Sequence, residues 1–244
     1  MPYHSIAEVY DRINGEAYAP YADYLEREIR ERSRIPVEDV LDLGCGTGRI
    51  TALMADKGFG LVGVDYSAEM LDHARKYNEG KNTLLLLQDM REFELYGTVQ
   101  AVYSSFDCLN YLRTAADLET VFALVHNYLE PGGVFLFDLN TKYRFREVYG
   151  DNTFSYEFED ELLVWRNEPT RTGTRFVLDR FFGFSEDGKC RYEHEEQSET
   201  YHSEKRILRV AKETGFSLLA VSGGFDGEPL TEASEKAYYV FLRD

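Results

Sequence analysis

The stretch from Val40 to Asp65 constrains this chain more than any other. It opens with Val40-Leu41-Asp42-Leu43, turns through Gly44-Cys45-Gly46-Thr47-Gly48, continues as a helical run and ends in Leu61-Val62-Gly63-Val64-Asp65. An apolar strand enters a glycine turn, a helix leaves it, and a second strand ends in a carboxylate. This is a βαβ unit, which opens a nucleotide-type cleft at its first turn. Glycines there permit backbone angles that a side chain forbids, and they leave bare main chain for a ligand to lie against. The helix is short and amphipathic, with Ile50, Leu53 and Met54 on one face and Gly58 as its stop.

The spacing narrows the ligand. A dinucleotide turn, G-x-G-x-x-G, would put its third glycine at position 49, which is Arg49. Asp42, beside the glycines, would repel a pyrophosphate and welcome an ammonium. Asp65, 17 residues after Gly48, is placed to accept both hydroxyls of a ribose. The run Asp42 to Gly48, Asp-x-Gly-x-Gly-x-Gly, resembles the first motif of class I S-adenosylmethionine-dependent methyltransferases. The resemblance implies that Asp42, Gly44, Cys45, Gly46, Gly48 and Asp65 form a site for S-adenosyl-L-methionine.

Other stretches extend the likeness. Tyr10-Asp11 resembles a Tyr-Asp near the start of related enzymes, and Tyr18 and Tyr21 match an aromatic cluster that covers the methionine end of the cofactor. Asp65-Tyr66-Ser67-Ala68-Glu69-Met70 matches Asp-x-Ser-x-x-Met, whose methionine flanks the adenine; Tyr66 and Met70 join the implied site. A third strand, Thr83 to Leu87, is continuously apolar and reads as buried on both faces. It leads to Asp89, which the family places on the adenine amino group, and to Met90, whose amide meets the ring. A fourth strand, Val99 to Ser105, enters the loop facing the transferable methyl group, and Ser105 is counted with the cofactor site. Leu-x-Pro-Gly-Gly, here Leu129 to Gly133, recurs before the fifth strand, Val134 to Phe137.

Before the glycine turn, Tyr21 to Arg34 reads as a helix with Leu25 and Ile29 inward and the pairs Glu26–Arg30 and Glu28–Arg32 on the other face. Thr114 and Asp117 form a capping-box-like start for a helix carrying Leu118, Val121, Phe122 and Val125. From Asn152 to about Tyr201 period-2 segments replace helical ones, with turn signals at Thr172-Gly173 and Asp187-Gly188. Ser203 then caps a helix carrying Ile207, Val210 and Ala211, and Ser217 to Val221 and Ala237 to Leu242 supply two last strands. The expected fold is α/β: a Rossmann-like, seven-stranded class I methyltransferase sheet with its last strand antiparallel, plus an inserted small antiparallel sheet. The core spans 1–140 and 203–244, with a helical lid over 1–36, and the insertion spans 141–202.

Composition sets the partners. A net charge of −17 argues against a nucleic-acid phosphate partner and favours a cationic ligand such as a sulfonium. Cys45, Cys108 and Cys190 are scattered, as expected of reduced thiols in a cytoplasmic protein. No apolar run reaches membrane-spanning length, and Met1-Pro2-Tyr3-His4 shows no signal-peptide pattern. His194, Glu195, Glu196 and His202 read as a solvated strand face, with no metal site expected.

The chemistry implied is methyl transfer to a small-molecule acceptor. Some relatives place a general-base histidine near Asn110, and an amide cannot take that proton. Asn110 and Tyr18 are therefore expected to orient substrate, with Tyr10 and Tyr111 as further candidates. Without a base in that loop, the balance leans towards N-methylation, since an amine that arrives neutral needs no prior deprotonation. A non-catalytic S-adenosylmethionine-binding protein and an NAD-dependent oxidoreductase are the alternatives, the latter disfavoured by Asp42 and Arg49. The acidic, aromatic insertion with the single Trp165 is expected to roof the acceptor pocket; the competing reading makes it the contact of a homodimer.

Overall fold

The computed structural model describes residues 7–185 and 188–244, so Tyr3 and Asp187 lie outside the described residues. The chain runs through α1 (Ala7–Asn14), α2 (Tyr18–Arg32), β1 (Asp39–Leu43), α3 (Arg49–Asp56), β2 (Gly60–Asp65), α4 (Ala68–Tyr77), β3 (Thr83–Leu87), β4 (Val99–Ser104), α5 (Ala115–Tyr128) and β5 (Leu129–Asn140). After one π-helical turn, Arg144–Tyr149, come β6 (Thr153–Phe158), β7 (Glu161–Pro169), β8 (Gly173–Phe182) and β9 (Arg191–Thr200). α6 (Glu204–Glu213), β10 (Phe216–Ser222) and β11 (Lys236–Arg243) complete it.

Seven strands form one sheet in the order β10-β11-β5-β4-β1-β2-β3. Strands β1 to β5 are parallel, and β11 runs antiparallel to both β5 and β10. This is the class I methyltransferase fold. Strands β6 to β9 pair only among themselves, as a four-stranded antiparallel sheet.

Period-2 alternation divides the core. Leu41, Leu43, Val102, Phe135 and Phe137 face one layer, where α5 and α6 deliver Val121, Phe122, Ile207 and Val210. Val40, Ala101, Tyr103, Val134 and Leu136 face the other, covered by Leu25 and Ile29 of α2 and Ile50 and Met54 of α3. Helices on both faces explain why these strands read as continuous apolar runs. β3 departs from the expectation. It is an edge strand, and Leu84 and Leu87 are 47% and 57% exposed. An apolar run alone cannot tell an edge from a centre, because position in the sheet is set by long-range pairing.

Local signals place the helices. Ser67 and Ser203 cap α4 and α6, accepting from Met70 N and Arg206 N. Thr114 and Asp117 close a full capping box on α5. α2 begins a turn earlier than expected and ends at Arg32; Glu26–Arg30 and Glu28–Arg32 pair at 2.9 and 3.2 Å. Glu28 is buried rather than outward.

Gly48 holds α3 against α4. Its φ is +72°, and a Cβ there would lie 2.7 Å from the Ala74 Cβ and 2.9 Å from its Cα. Gly48→Val is expected to cost about 2–4 kcal/mol through overpacking and left-handed backbone strain. The shift of the urea midpoint measures it; an unchanged midpoint would contradict this packing role.

Candidate active site

The parallel strands end together, and their carboxyl ends build the site. β1 delivers the glycine turn, where Gly44 N and Cys45 N donate to Val64 O of β2 at 2.7 and 3.0 Å. β2 ends in Asp65, whose Oδ2 accepts from Gly46 N at 2.8 Å and whose Oδ1 accepts from Ser67 N at 2.9 Å. These bonds fix the carboxylate at the mouth of the turn and leave each oxygen a further lone pair. Burial raises the Asp65 carboxyl, and the Ser67, Gly46 and Tyr66 amides draw it back.

A narrow cleft follows the strand ends. Gly44, Gly46, Asp65 and Tyr66 line one side, Met70 and Met90 another, and Ser105, Phe106 and Cys108 close it. At Gly46, with φ +53°, an added Cβ would meet nothing within 4 Å, because it would stand in the empty cleft. A second cavity of about 320 Å³ opens beside it, and Tyr10, Phe106 and Tyr111 line both. Three side chains of the four-stranded sheet, Trp165, Gln197 and Glu199, line this larger space.

The larger cavity is built around a buried ion cluster. The Lys236 ammonium donates to Asp107 Oδ1 and Asp138 Oδ2, both at 2.6 Å. Tyr21 OH donates to Asp138 Oδ1 at 2.7 Å, and Asp107 N to Asp138 Oδ2 at 2.9 Å. Asn140 Nδ2 donates to Glu199 Oε2 at 2.7 Å and to Asp107 Oδ2 at 3.1 Å. Asp107 and Glu199 also hydrogen-bond to each other. Burial pushes both carboxyls up, but Lys236 and Arg144 hold Asp107 below the usual range, while the charge of Asp107 drives Glu199 further up. A proton shared by the pair is therefore favoured on Glu199 over Asp107.

Several expected contacts are corrected. Asn110 is completely buried: its Nδ2 donates to Thr200 O at 2.8 Å and its Oδ1 accepts from Asn140 N at 2.9 Å. It staples the loop after β4 to β5 and β9 and lines neither space. Tyr18 donates to Asp11 Oδ1 at 2.8 Å, and Asp11 Oδ1 also accepts from Thr47 Oγ1 at 2.6 Å. That clamp fastens α1 and α2 to the glycine turn, and Tyr18 lines neither of these two spaces. Asp42 lies fully buried, with Oδ2 accepting from Thr51 Oγ1 at 2.6 Å and Tyr103 OH at 2.9 Å, and it lines neither the cleft nor the larger cavity.

Cys45 sits beneath the turn beside Gly63, and Gly48 serves α3–α4 packing, so neither lines the cleft. Tyr21 lines the larger cavity instead of the cleft. Asp89 is held by Arg91, and its neighbours Gln88 and Met90 line the cleft in its place. Of the candidate metal group, Glu195 and His202 are buried, not solvated, and His202 Nε2 pairs with Leu112 O at 3.0 Å. Among the described residues no cluster of ligands suits a metal ion.

Sequence reasoning missed Lys236, Arg144, Tyr149 and Glu199. Each is an ordinary charged or aromatic residue in its own segment. The expected fifth strand stops at Phe137, and nothing local to Asp138 marks a charged centre there.

Comparison with known proteins agrees with this geometry. The family model for a methyltransferase domain matches residues 40–133, the span from β1 to the Gly132-Gly133 turn. The chain belongs to the class I S-adenosylmethionine-dependent methyltransferases. It is 34% identical to the putative methyltransferase YqeM of Bacillus subtilis (strain 168), over 98% of this chain and 96% of that protein. A crystal structure of an S-adenosylmethionine-dependent methyltransferase from Clostridium acetobutylicum ATCC 824 superposes with a TM-score of 0.88, at 26% identity and 98% coverage of both chains. A dTDP-3-amino-3,4,6-trideoxy-alpha-D-glucopyranose N,N-dimethyltransferase of Streptomyces venezuelae is 30% identical over 75% of this chain and 77% of its own length. The protein is thus a methyltransferase that uses S-adenosyl-L-methionine, and the NAD-dependent and non-catalytic alternatives fall away.

The buried Asp42 carries a pH signature. Burial raises its carboxyl to about 7, against the lowering bonds from Thr51 and Tyr103. An acid whose folded pKa lies above its unfolded value binds more protons folded than unfolded, so native stability falls as pH climbs from the unfolded to the folded value. Asp42→Asn is expected to gain stability relative to the parent by about 1.4 kcal/mol per pH unit between about pH 4 and 7. Urea unfolding at both ends of that window checks it, and a difference that shrinks with rising pH would contradict the assignment.

Proposed function

We propose that this methyltransferase places the methyl group on an amine nitrogen of a small-molecule acceptor held in the larger cavity. The observation that carries the proposal is the Asp107–Glu199 pair, two hydrogen-bonded carboxyl groups lining the cavity that adjoins the cleft. In the cleft the open Gly46 backbone, Asp65, Met70 and Met90 suit a nucleoside-bearing cofactor, and Asp65 retains lone pairs for the ribose. Asp42 supports the turn from below, where its unpartnered Oδ1 would favour positive charge nearby.

Bound S-adenosylmethionine supplies a methyl carbon activated by a positive sulfur. The chain's own residues align the nucleophile and exclude water. Tyr10, Phe106 and Tyr111, at the junction of the two spaces, border the line along which an acceptor approaches. An attacking amine becomes an ammonium and sheds one proton. The Asp107 carboxylate stabilises the positive charge that develops on the nitrogen as the carbon–sulfur bond breaks, and the ammonium sheds its proton to solvent afterwards. An alcohol acceptor would need a stronger base than a carboxylate whose pKa is already depressed. The Streptomyces venezuelae relative, named for an N,N-dimethylation of an amino sugar nucleotide, is consistent with this class of acceptor.

The test is release of S-adenosylhomocysteine with paired panels of primary or secondary amines and their hydroxyl isosteres. Turnover with N-methyl product is expected only among the amines, and Asp107→Asn, which keeps the side-chain size but removes the charge, is expected to lower kcat about 100-fold. Its S-adenosylhomocysteine affinity should stay within about threefold, because Asp107 borders the acceptor space and not the cleft. O-methyl products, or full activity of the variant, would overturn the proposal. Asp65→Ala tests the cofactor site separately. It removes two charge-assisted hydrogen bonds of about 1.5–3 kcal/mol each and should weaken S-adenosylhomocysteine binding more than about 100-fold; unchanged affinity would place the ribose elsewhere.

A further inference from the structure

Cations collect at one place on this acidic protein. A groove of about 590 Å³ runs between the start of α5, the π-helical turn and the β7–β8 hairpin. Arg113, Lys142, Arg146, Arg171 and Arg206 line it, and no carboxylate does. Among the described residues none of the five makes an ion pair. The acids beside Arg146 and Arg206 in sequence, Glu147 and Glu204, line the adjoining cavity instead. The chain has 44 acidic and 27 basic residues, so ion-pair partners are plentiful elsewhere.

Lys142 and Arg146 also border the adjoining cavity with Glu147, Glu204 and Glu232, whereas Arg113, Arg171 and Arg206 line the groove alone. Arg206 lies in the first turn of α6, where the helix dipole disfavours positive charge. Ala115, the first residue of α5, brings a second helix start to the groove. Like charges gathered this way raise the free energy of the empty groove, and an anion would lower it.

We infer that this groove is a second binding site, for the polyphosphate chain of a small ligand such as a nucleoside triphosphate. Four guanidiniums supply planar forks matched to phosphate oxygens, and Lys142 adds a point charge. The site is distinct from the acceptor cavity: Phe145 lines the groove and Tyr149 the acceptor cavity, from one π-helical turn packed between them. A compact anion fits better than an extended one. With screening over about 8–10 Å, the attraction is confined to the groove, whereas a long nucleic acid would also meet the surrounding surface of a protein with net charge −17.

Isothermal titration of the full chain at low salt, with tripolyphosphate, ATP, inorganic phosphate and a single-stranded RNA, tests the assignment. Tripolyphosphate and ATP are expected to bind, and inorganic phosphate at least about tenfold more weakly. Arg113→Gln combined with Arg171→Gln, both at exposed positions, should weaken tripolyphosphate about tenfold or more and leave S-adenosylhomocysteine affinity unchanged. Equal affinities for tripolyphosphate and ATP would assign the groove to the phosphate chain alone, and a tighter ATP would add the nucleoside. No binding of tripolyphosphate at millimolar concentration, indifference to the double substitution, or tighter binding of RNA would overturn the inference.

Discussion

The Lys236 ammonium, shared between Asp107 and Asp138, is the interaction on which the active end of the molecule depends. It joins the last strand to the ends of β4 and β5. Tyr21 adds α2 to the same cluster, and Asn140 with Glu199 adds the inserted sheet. Burial alone would lower the Lys236 pKa, but the two carboxylates raise it, so the ammonium stays charged where it binds. Removing Lys236 would leave Asp107 and Asp138 buried without the ammonium they share, a penalty of about 3–5 kcal/mol. The cluster therefore ties together the wall of the larger cavity, and it does so with groups drawn from five separate stretches of chain.

Around that hub the two halves of the site are built differently. The cofactor side is largely main chain: a glycine turn, the ends of two strands, and Asp65 pinned by backbone amides. Side chains there mostly support the turn from behind, as Asp42, Thr51 and Tyr103 do in a buried triad. The acceptor side is made of side chains, three of them from the insertion. The insertion is fastened in place by Asn110 to Thr200 O, and by a buried Arg180–Glu161 pair that Arg12 of α1 joins. Replacing strands β6 to β9 would thus alter the acceptor wall while the glycine turn kept its bonds.

The sheet and glycine turn were legible in the sequence because both are encoded locally. Alternation, caps and glycine spacing act over a few residues, and they placed β1 to β5, α3 to α6 and the two terminal strands. What misled was burial. Asn110, Tyr18 and Asp42 have the residue types that touch ligands, and in the structure each is spent on the protein itself. A polar side chain inside a fold must find a partner, and sequence does not say whether that partner is ligand or backbone. Leu84 and Leu87 show the same limit for apolar residues, since only the strand order reveals an edge. Lys236 and Glu199 were invisible because their meaning comes from Asp107, which is 129 residues from Lys236.

The central claim is that the narrow cleft and the acidic cavity form one reaction path meeting at Tyr10, Phe106 and Tyr111. A crystal structure with S-adenosylhomocysteine bound tests it most directly. The account predicts the ribose on Asp65, the adenine between Met70 and Met90, and the sulfur at the three-residue junction, facing the Asp107–Glu199 pair. A sulfur lying away from that junction, with the acidic cavity sealed from it, would contradict the account.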